Sequence, residues 1–218
     1  MVKKQILVLG LKSFGMSIVK QLSKYNCEVL AIDKDMEKVE IADEYATQAI
    51  QLDIRNVEEL TDIPLNDFDI AIVTVDDIEA SIMASLILRE HKVKKIIVKA
   101  KNSIHKRILE KMEVDKIISP EEEMGIKLAK SIMNVSVIDA INFSEDYSIL
   151  EISALDKWIG KTIAKLDLRN VYGMNVLCIR NNNKELEISP SPDYKIEEND
   201  ILVALVDNKK INETELKY

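Results

Sequence analysis

From Lys4 the chain reads Lys-Gln-Ile-Leu-Val-Leu-Gly, an apolar stretch broken at Gly10, after which Phe14, Ile18 and Leu22 recur at helical spacing. The alternation continues past the middle of the chain. Short apolar runs fall at 29–32, 49–52, 70–75, 96–98 and 116–118, with helical patterns at 36–42, 78–90 and 104–112 between them. Strands this short and this uniformly apolar are buried on both faces, so the pattern predicts an α/β fold, a doubly wound parallel sheet with helices on both sides. Residues 121–133 predict one more helix, with Glu121, Glu122 and Glu123 in its first turn, where the helix dipole favours negative charge.

Beyond residue 134 the rhythm changes. Stretches 135–143 and 148–154 are strand-like, and 158–166 reads as one short helix. Strands return at 175–180, 185–188 and 200–206, punctuated by Asn181-Asn182-Asn183 and Pro190-Ser191-Pro192-Asp193. The expectation is two domains, an N-terminal α/β domain over 1–134 and a small α+β domain over 135–218.

The composition supports this division, since 218 residues with 47% apolar side chains can fill two modest cores. No apolar run approaches the roughly 20 residues that span a bilayer, and the Met1-Val2-Lys3-Lys4 start leads into a strand rather than a leader segment. Both features predict a cytoplasmic protein. The net charge of −8 is shared by the two halves, with no basic block or aromatic-basic interleaving, so nucleic acid is not an expected partner. Cys27 and Cys178 lie far apart without a C-x-x-C and read as buried free thiols in a reducing compartment. His91 and His105 are flanked by lysines and read as surface or half-buried groups.

Candidate chemistry concentrates at the first turn. Two of the five glycines, Gly10 and Gly15, bracket it, and Asp33 ends the next apolar run at about the twenty-residue offset where a carboxylate can hold a ribose hydroxyl. Together they point to a Rossmann-like nucleotide-binding unit. Lys12 stands where such turns carry their middle glycine, adding a Cβ and an ammonium group that either crowds phosphates or neutralises them from the side. The alternative is a tight strand-to-helix turn with no ligand.

In order along the chain, Gly10-Leu11-x-x-Phe14-Gly15, Asp33, Asp53, Val75-Asp76-Asp77-Ile78-Glu79-Ala80-Ser81, Lys99-Ala100-Lys101-Asn102, Ser119-Pro120-Glu121, Leu166-x-Leu168-Arg169 and Tyr172-Gly173-Met174-Asn175-Val176 resemble the domains that regulate potassium conductance, as found in KtrA-type and TrkA-type regulatory subunits of potassium uptake systems. The resemblance covers nearly the whole chain, and it implies that the helix over 121–133 is a crossover helix between the two domains. It implies a cytoplasmic homo-oligomer, a dimer or octameric ring, held at the inner membrane face by a KtrB- or TrkH-like potassium-translocating subunit. It also implies ATP, ADP or NAD(H) in the N-terminal domain, with Gly10, Lys12, Ser13, Phe14, Gly15, Asp33, Asp53 and Lys99 as cofactor-binding residues. Where the family often has glycine then arginine, this chain has Lys12 and Ser13. Glu121 matches a position associated with divalent or sodium ions between subunits, although a first-turn acid complementing the dipole would explain it equally. In the C-terminal domain the resemblance implies a cyclic di-AMP cleft between two subunits, with Arg169 and Asn175 as polar ligands and Ile163, Leu168, Met174, Val176 and Pro190 around them. Taken alone, Tyr172-Gly173 is a turn and Arg169 a solvated helix-end cation.

The expected function is a non-enzymatic, ligand-sensing gating subunit. An NAD(P)-dependent oxidoreductase built on the same Rossmann unit is the alternative. Against it, no histidine, tyrosine-lysine pair or cysteine is placed for hydride-transfer chemistry.

Overall fold

The computed structural model describes residues 3–133, 137–142, 144–214 and 216. They form two compact units that divide after Glu121, inside the helix that the periodicity places at the end of the first domain.

The first unit is a parallel sheet of β1 (Lys4–Leu9), β2 (Cys27–Asp33), β3 (Gln48–Gln51), β4 (Ile70–Val73), β5 (Ile96–Lys99) and β6 (Lys116–Ile118), in the order β3-β2-β1-β4-β5-β6. Its connections are α1 (Ser13–Leu22), α2 (Met36–Asp43), α3 (Val57–Thr61), α4 (Ile78–Glu90) and α5 (Ser103–Lys111), and α6 (Pro120–Met133) follows the last strand. The apolar run of β1 follows from this arrangement. Successive side chains leave a strand on opposite faces, so Leu7 and Leu9 join one core with Leu60, Leu88 and Leu109, while Ile6 and Val8 join the other with Val19, Val39 and Ala42. Each fully buried aliphatic side chain contributes about 1.5–3 kcal/mol. Because β1 pairs with β2 on one side and β4 on the other, the winding reverses there, and a crevice opens beyond the carboxyl ends of β1 and β4.

Helix starts follow local capping. The carboxylate of Asp77 accepts from the Ala80 N–H at 2.8 Å, and Asn102 Oδ1 accepts from the His105 N–H at 2.8 Å. The second cap brings a correction. His105 is fully buried rather than surface or half-buried: its Nδ1 accepts from the Lys101 N–H at 3.2 Å, so the ring folds back under the helix start. Burial, then Lys101, lowers its pKa. Cys27 and Cys178 are free but half-buried, not buried. Strand β4 ends at Val73, two residues before its apolar run does, and Thr74 and Val75 turn into the crevice wall.

The second unit is an antiparallel sheet of β7 (Val137–Asn142), β8 (Tyr147–Ser153), β9 (Met174–Arg180), β10 (Leu186–Ile188) and β11 (Ile201–Asp207), ordered β10-β9-β11-β8-β7. Residues 135, 136 and 143 of the first expected strand lie outside the described residues. On β11, Leu202, Ala204 and Val206 point inward, the alternation of a sheet with one buried face. The single helix expected over 158–166 is not formed. A 3-10 turn, Asp156–Trp158, is followed by Gly160 at φ +78°, a left-handed conformation no helix continues through. Thr162 then bridges Lys195 before α7 (Ile163–Leu166), α8 (Leu168–Tyr172) and, after β11, α9 (Asn208–Asn212). Trp158 is 1% exposed, its indole N–H donates to Tyr172 Oη at 3.3 Å, and the two rings meet edge to face at 5.3 Å. Among the described residues no helix is long and apolar enough to cross a membrane.

Candidate functional site

In the first unit the crevice at the β1/β4 reversal holds a cleft of about 140 Å³. Gly10, Lys12, Asp33, Lys34, Lys38, Leu52, Asp53, Ile54, Arg55 and residues 74–77 are among its lining. Gly10 makes the turn possible. Its φ is +97°, and a Cβ there would lie 2.9 Å from both the Val75 amide nitrogen and Val75 Cγ1. Gly15 serves packing instead, since a Cβ on it would fall 1.9 Å from the Gly10 carbonyl oxygen and 2.6 Å from Thr74 Oγ1. It is the close-packing glycine that seats α1 on the strand turn. Thr74 Oγ1 lies 2.7 Å from the same carbonyl oxygen and 3.1 Å from that of Leu9, tying β4 to the turn.

Asp33 orders this entrance. Its Oδ2 accepts from the Leu11 N–H at 2.6 Å and its Oδ1 from the Asp35 N–H at 3.0 Å. Each oxygen keeps a second lone pair, enough to accept a ligand hydroxyl. Across the cleft, Arg55 donates Nε to Asp53 at 3.0 and 3.1 Å and adds a bond from Nη2, and this guanidinium holds the Asp53 carboxyl down at about 2. A line of alternating charge runs from the turn after β1 to the start of α6. Lys12 Nζ lies 2.8 Å from Asp76 Oδ2, Lys99 Nζ lies 3.2 Å from Asp76 Oδ1, and Lys99 also reaches Glu121 Oε1 at 2.6 Å. The Lys12 bond, then that of Lys99, holds the Asp76 carboxyl down against burial. For Lys99, burial works against the charge, but its bonds to Glu121 and Asp76 prevail and its pKa is raised.

Of the expected cofactor residues, Gly10, Lys12, Asp33 and Asp53 line the cleft. Ser13, Phe14, Gly15 and Lys99 do not: Ser13 is exposed, Phe14 half-buried, Gly15 packed beneath the turn, and Lys99 stands behind Asp76 on β5. Glu121 is engaged by Lys99, and no group of three or more His, Cys, Asp or Glu among the described residues could hold a metal ion. Lys34, Lys38, Arg55, Asp76 and Asp77 join the lining without having been expected there. For Asp76 and Asp77 a signal exists in the chain, because they directly follow the strand at the sheet reversal.

In the second unit Ile163, Ala164, Asp167, Leu168, Arg169, Met174, Asn175, Val176 and Pro190 surround a cleft of about 210 Å³. All the residues expected around cyclic di-AMP are therefore on one surface, with Asp167 and Ala164 added. Arg169 and Asn175 are exposed, while Leu168 and Met174 are buried and form an apolar floor. The helix carrying Arg169 starts after Asp167 at φ +45° and ends at Gly173 at φ +67°. Asp167 receives two bonds from Asn170 Nδ2, at 2.8 and 3.0 Å.

The chain matches the TrkA-N domain over residues 6–120 and the TrkA-C domain over 147–217. It is 38% identical to Ktr system potassium uptake protein A of Bacillus subtilis (strain 168), covering 97% of this chain and 96% of that protein. Ktr system potassium uptake protein C of the same organism is also 38% identical, over 93% of this chain and 92% of its own. Among solved structures the GsuK channel shares the fold, with TM-score 0.72 and 15% identity. That alignment covers 100% of this chain and 40% of the channel chain, so this chain spans less than half of the channel's length. The relatives are named as potassium uptake proteins, not as enzymes. With both domains in order and near-complete coverage by these relatives, the chain belongs to the KtrA/TrkA-type family of potassium uptake regulatory subunits.

Proposed function

We propose that the chain is a ligand-sensing subunit that gates a membrane potassium-translocating partner, holding an adenine nucleotide in the first cleft and cyclic di-AMP in the second. The observation that carries this is the gathering of Arg169, Asn175 and the apolar Ile163, Leu168, Met174, Val176 and Pro190 around one cleft in a chain of this family. A cation for phosphate, a carboxamide and apolar walls are the groups a cyclic dinucleotide of two adenines needs. Two such half-sites related by a two-fold axis suit a two-fold ligand, which ties recognition to a homodimer within a ring. A ligand moves the gate only by its difference in affinity for two assembly shapes, and a site completed by two subunits is built to have one. In the first cleft the turn at Gly10 and the lone pairs of Asp33 support a ribose-phosphate ligand.

Titration calorimetry of the full chain tests both sites. Arg169→Ala should weaken cyclic di-AMP by more than the 1.5–3 kcal/mol or so of a single charged bond, because both ends of the ligand lose it, while Asn175→Ala costs about 1 kcal/mol. Equal affinity in Arg169→Ala and wild type, or a monomer by light scattering with and without ligand, would count against the reading. Mass spectrometry of nucleotide released on denaturation identifies the occupant of the first cleft. Turnover of NADH with carbonyl substrates would favour an oxidoreductase instead.

A further inference from the structure

We propose that the Lys12–Asp76 ion pair is an exchangeable counter-ion latch across the first cleft: a ligand phosphate takes Lys12, and Asp76 falls back on Lys99. This deepens, and rests on, the adenine-nucleotide reading of that cleft. The pair joins the turn after β1 to the segment just past β4, so it spans the two strands between which the sheet order reverses. In an open α/β sheet a pyrophosphate sits there. With a lysine in place of the middle glycine, the backbone is screened by a Cβ and phosphate recognition passes to the ammonium group.

Apart from Lys34, which also lines the cleft, the charged neighbours are committed elsewhere. Arg55 is clamped by Asp53 through several bonds, and Lys38 is held by Asp35 at 2.6 Å within the same helix start. Asp33 accepts two backbone N–H groups, and Asp77 caps α4. Among the described residues the Lys12 ammonium pairs with Asp76 alone, at 2.8 Å, and its side chain is 61% exposed. Exposed pairs of this kind are worth little, so releasing it demands little of an incoming anion. Asp76 is not orphaned by the exchange, because Lys99, with a side chain only 10% exposed, already contacts its other oxygen at 3.2 Å. What remains unfavourable is a carboxylate facing a phosphate. Asp76 therefore acts as a specificity residue that sets how strongly a phosphate must bind, while a ligand without phosphate leaves the latch shut.

Calorimetry with ADP, adenosine and inorganic pyrophosphate on wild type, Lys12→Ala and Asp76→Asn tests the exchange. ADP and pyrophosphate should weaken about 10-fold in Lys12→Ala and tighten about 3- to 10-fold in Asp76→Asn, with adenosine within about 2-fold throughout. Lys12→Gln, which keeps the stem without the charge, should follow Lys12→Ala. If adenosine and ADP bind but ignore both substitutions, the nucleotide reading stands and the latch is overturned. If pyrophosphate follows the expected pattern while ADP gains nothing over it, the latch stands and the adenine reading fails. Weaker ADP and pyrophosphate binding in Asp76→Asn would overturn the latch, and absence of binding by all three probes would overturn both.

Discussion

Replacing Gly15 by alanine isolates the contact that seats α1 on the turn after β1. The added methyl would stand 1.9 Å from the Gly10 carbonyl oxygen and 2.6 Å from Thr74 Oγ1, both inside van der Waals contact, and the first of these is backbone. Neither neighbour is free to give way, since Gly10 donates its N–H to the Ile32 carbonyl at 2.8 Å and Thr74 is buried and bonded to the same turn. Relief requires α1 to lift off β1 by about an ångström, opening the core around Val19. An approach this close to backbone puts the cost in the upper part of the about 1–3 kcal/mol typical of overpacking, leaving about 1–2 kcal/mol after the helix-propensity gain of up to about 1 kcal/mol that alanine brings over glycine. At about 4 °C per kcal/mol for a unit of this size, its melting temperature should fall by about 4–8 °C. Far-UV circular dichroism follows the transition, while fluorescence of Trp158, the single tryptophan, reads the other unit. Gly125→Ala, in the part of α6 that belongs to the second unit, controls for the glycine-to-alanine change itself, because a Cβ there meets nothing within 4 Å, and it should stabilise that unit by about 0.5–1 kcal/mol. A Gly15→Ala protein that melts within about 1 °C of wild type would refute the packing role of this glycine.

Asp53 has a folded pKa of about 2 against an ordinary value of 3.8, so its pairing with Arg55 favours the folded state above pH 3.8, and that contribution is lost as pH falls through about 2. Arg55→Ala should return the carboxyl resonance titration toward 3.8, and an unchanged titration would deny the pair. Trp158→Ala removes a buried ring and its edge-to-face partner and should cost about 3–5 kcal/mol in urea unfolding, with Trp158→Phe milder. A loss below about 1 kcal/mol would mean that the ring is not part of the second core.

The alternating pattern makes the parallel sheet legible because β1, β2 and β4 are buried on both faces and leave little room for polar side chains. The five-residue helices α3 and α8 are not legible, since one turn and a half gives no period to detect. Residues 158–166 mislead for a related reason: their apolar spacing suits a helix, but Gly160 takes a left-handed conformation and the chain pairs at Thr162 instead. For His105 the lysine neighbours suggest a surface, whereas Asn102 capping turns the ring inward. At the first cleft Gly10 and Asp33 are visible by spacing. The pairings of Arg55 with Asp53 and of Lys38 with Asp35 are local, but that these groups share one cleft, and that Lys12, Asp76, Lys99 and Glu121 form one line, depends on which strand ends become neighbours and is not visible.

The short helix α8 has left-handed residues at both ends, Asp167 and Gly173, and Asn170 pins the first of them. Arg169 therefore departs from a backbone that is fixed before any ligand arrives. On the cyclic di-AMP reading, association in that cleft would immobilise one long side chain, at an entropic cost of about 0.5–1.5 kcal/mol for that residue. Substituting Asn170 with alanine would remove no group that lines the cleft, yet loosen the platform Arg169 stands on, and on the cyclic di-AMP reading the penalty would appear in the entropy of binding rather than in its heat.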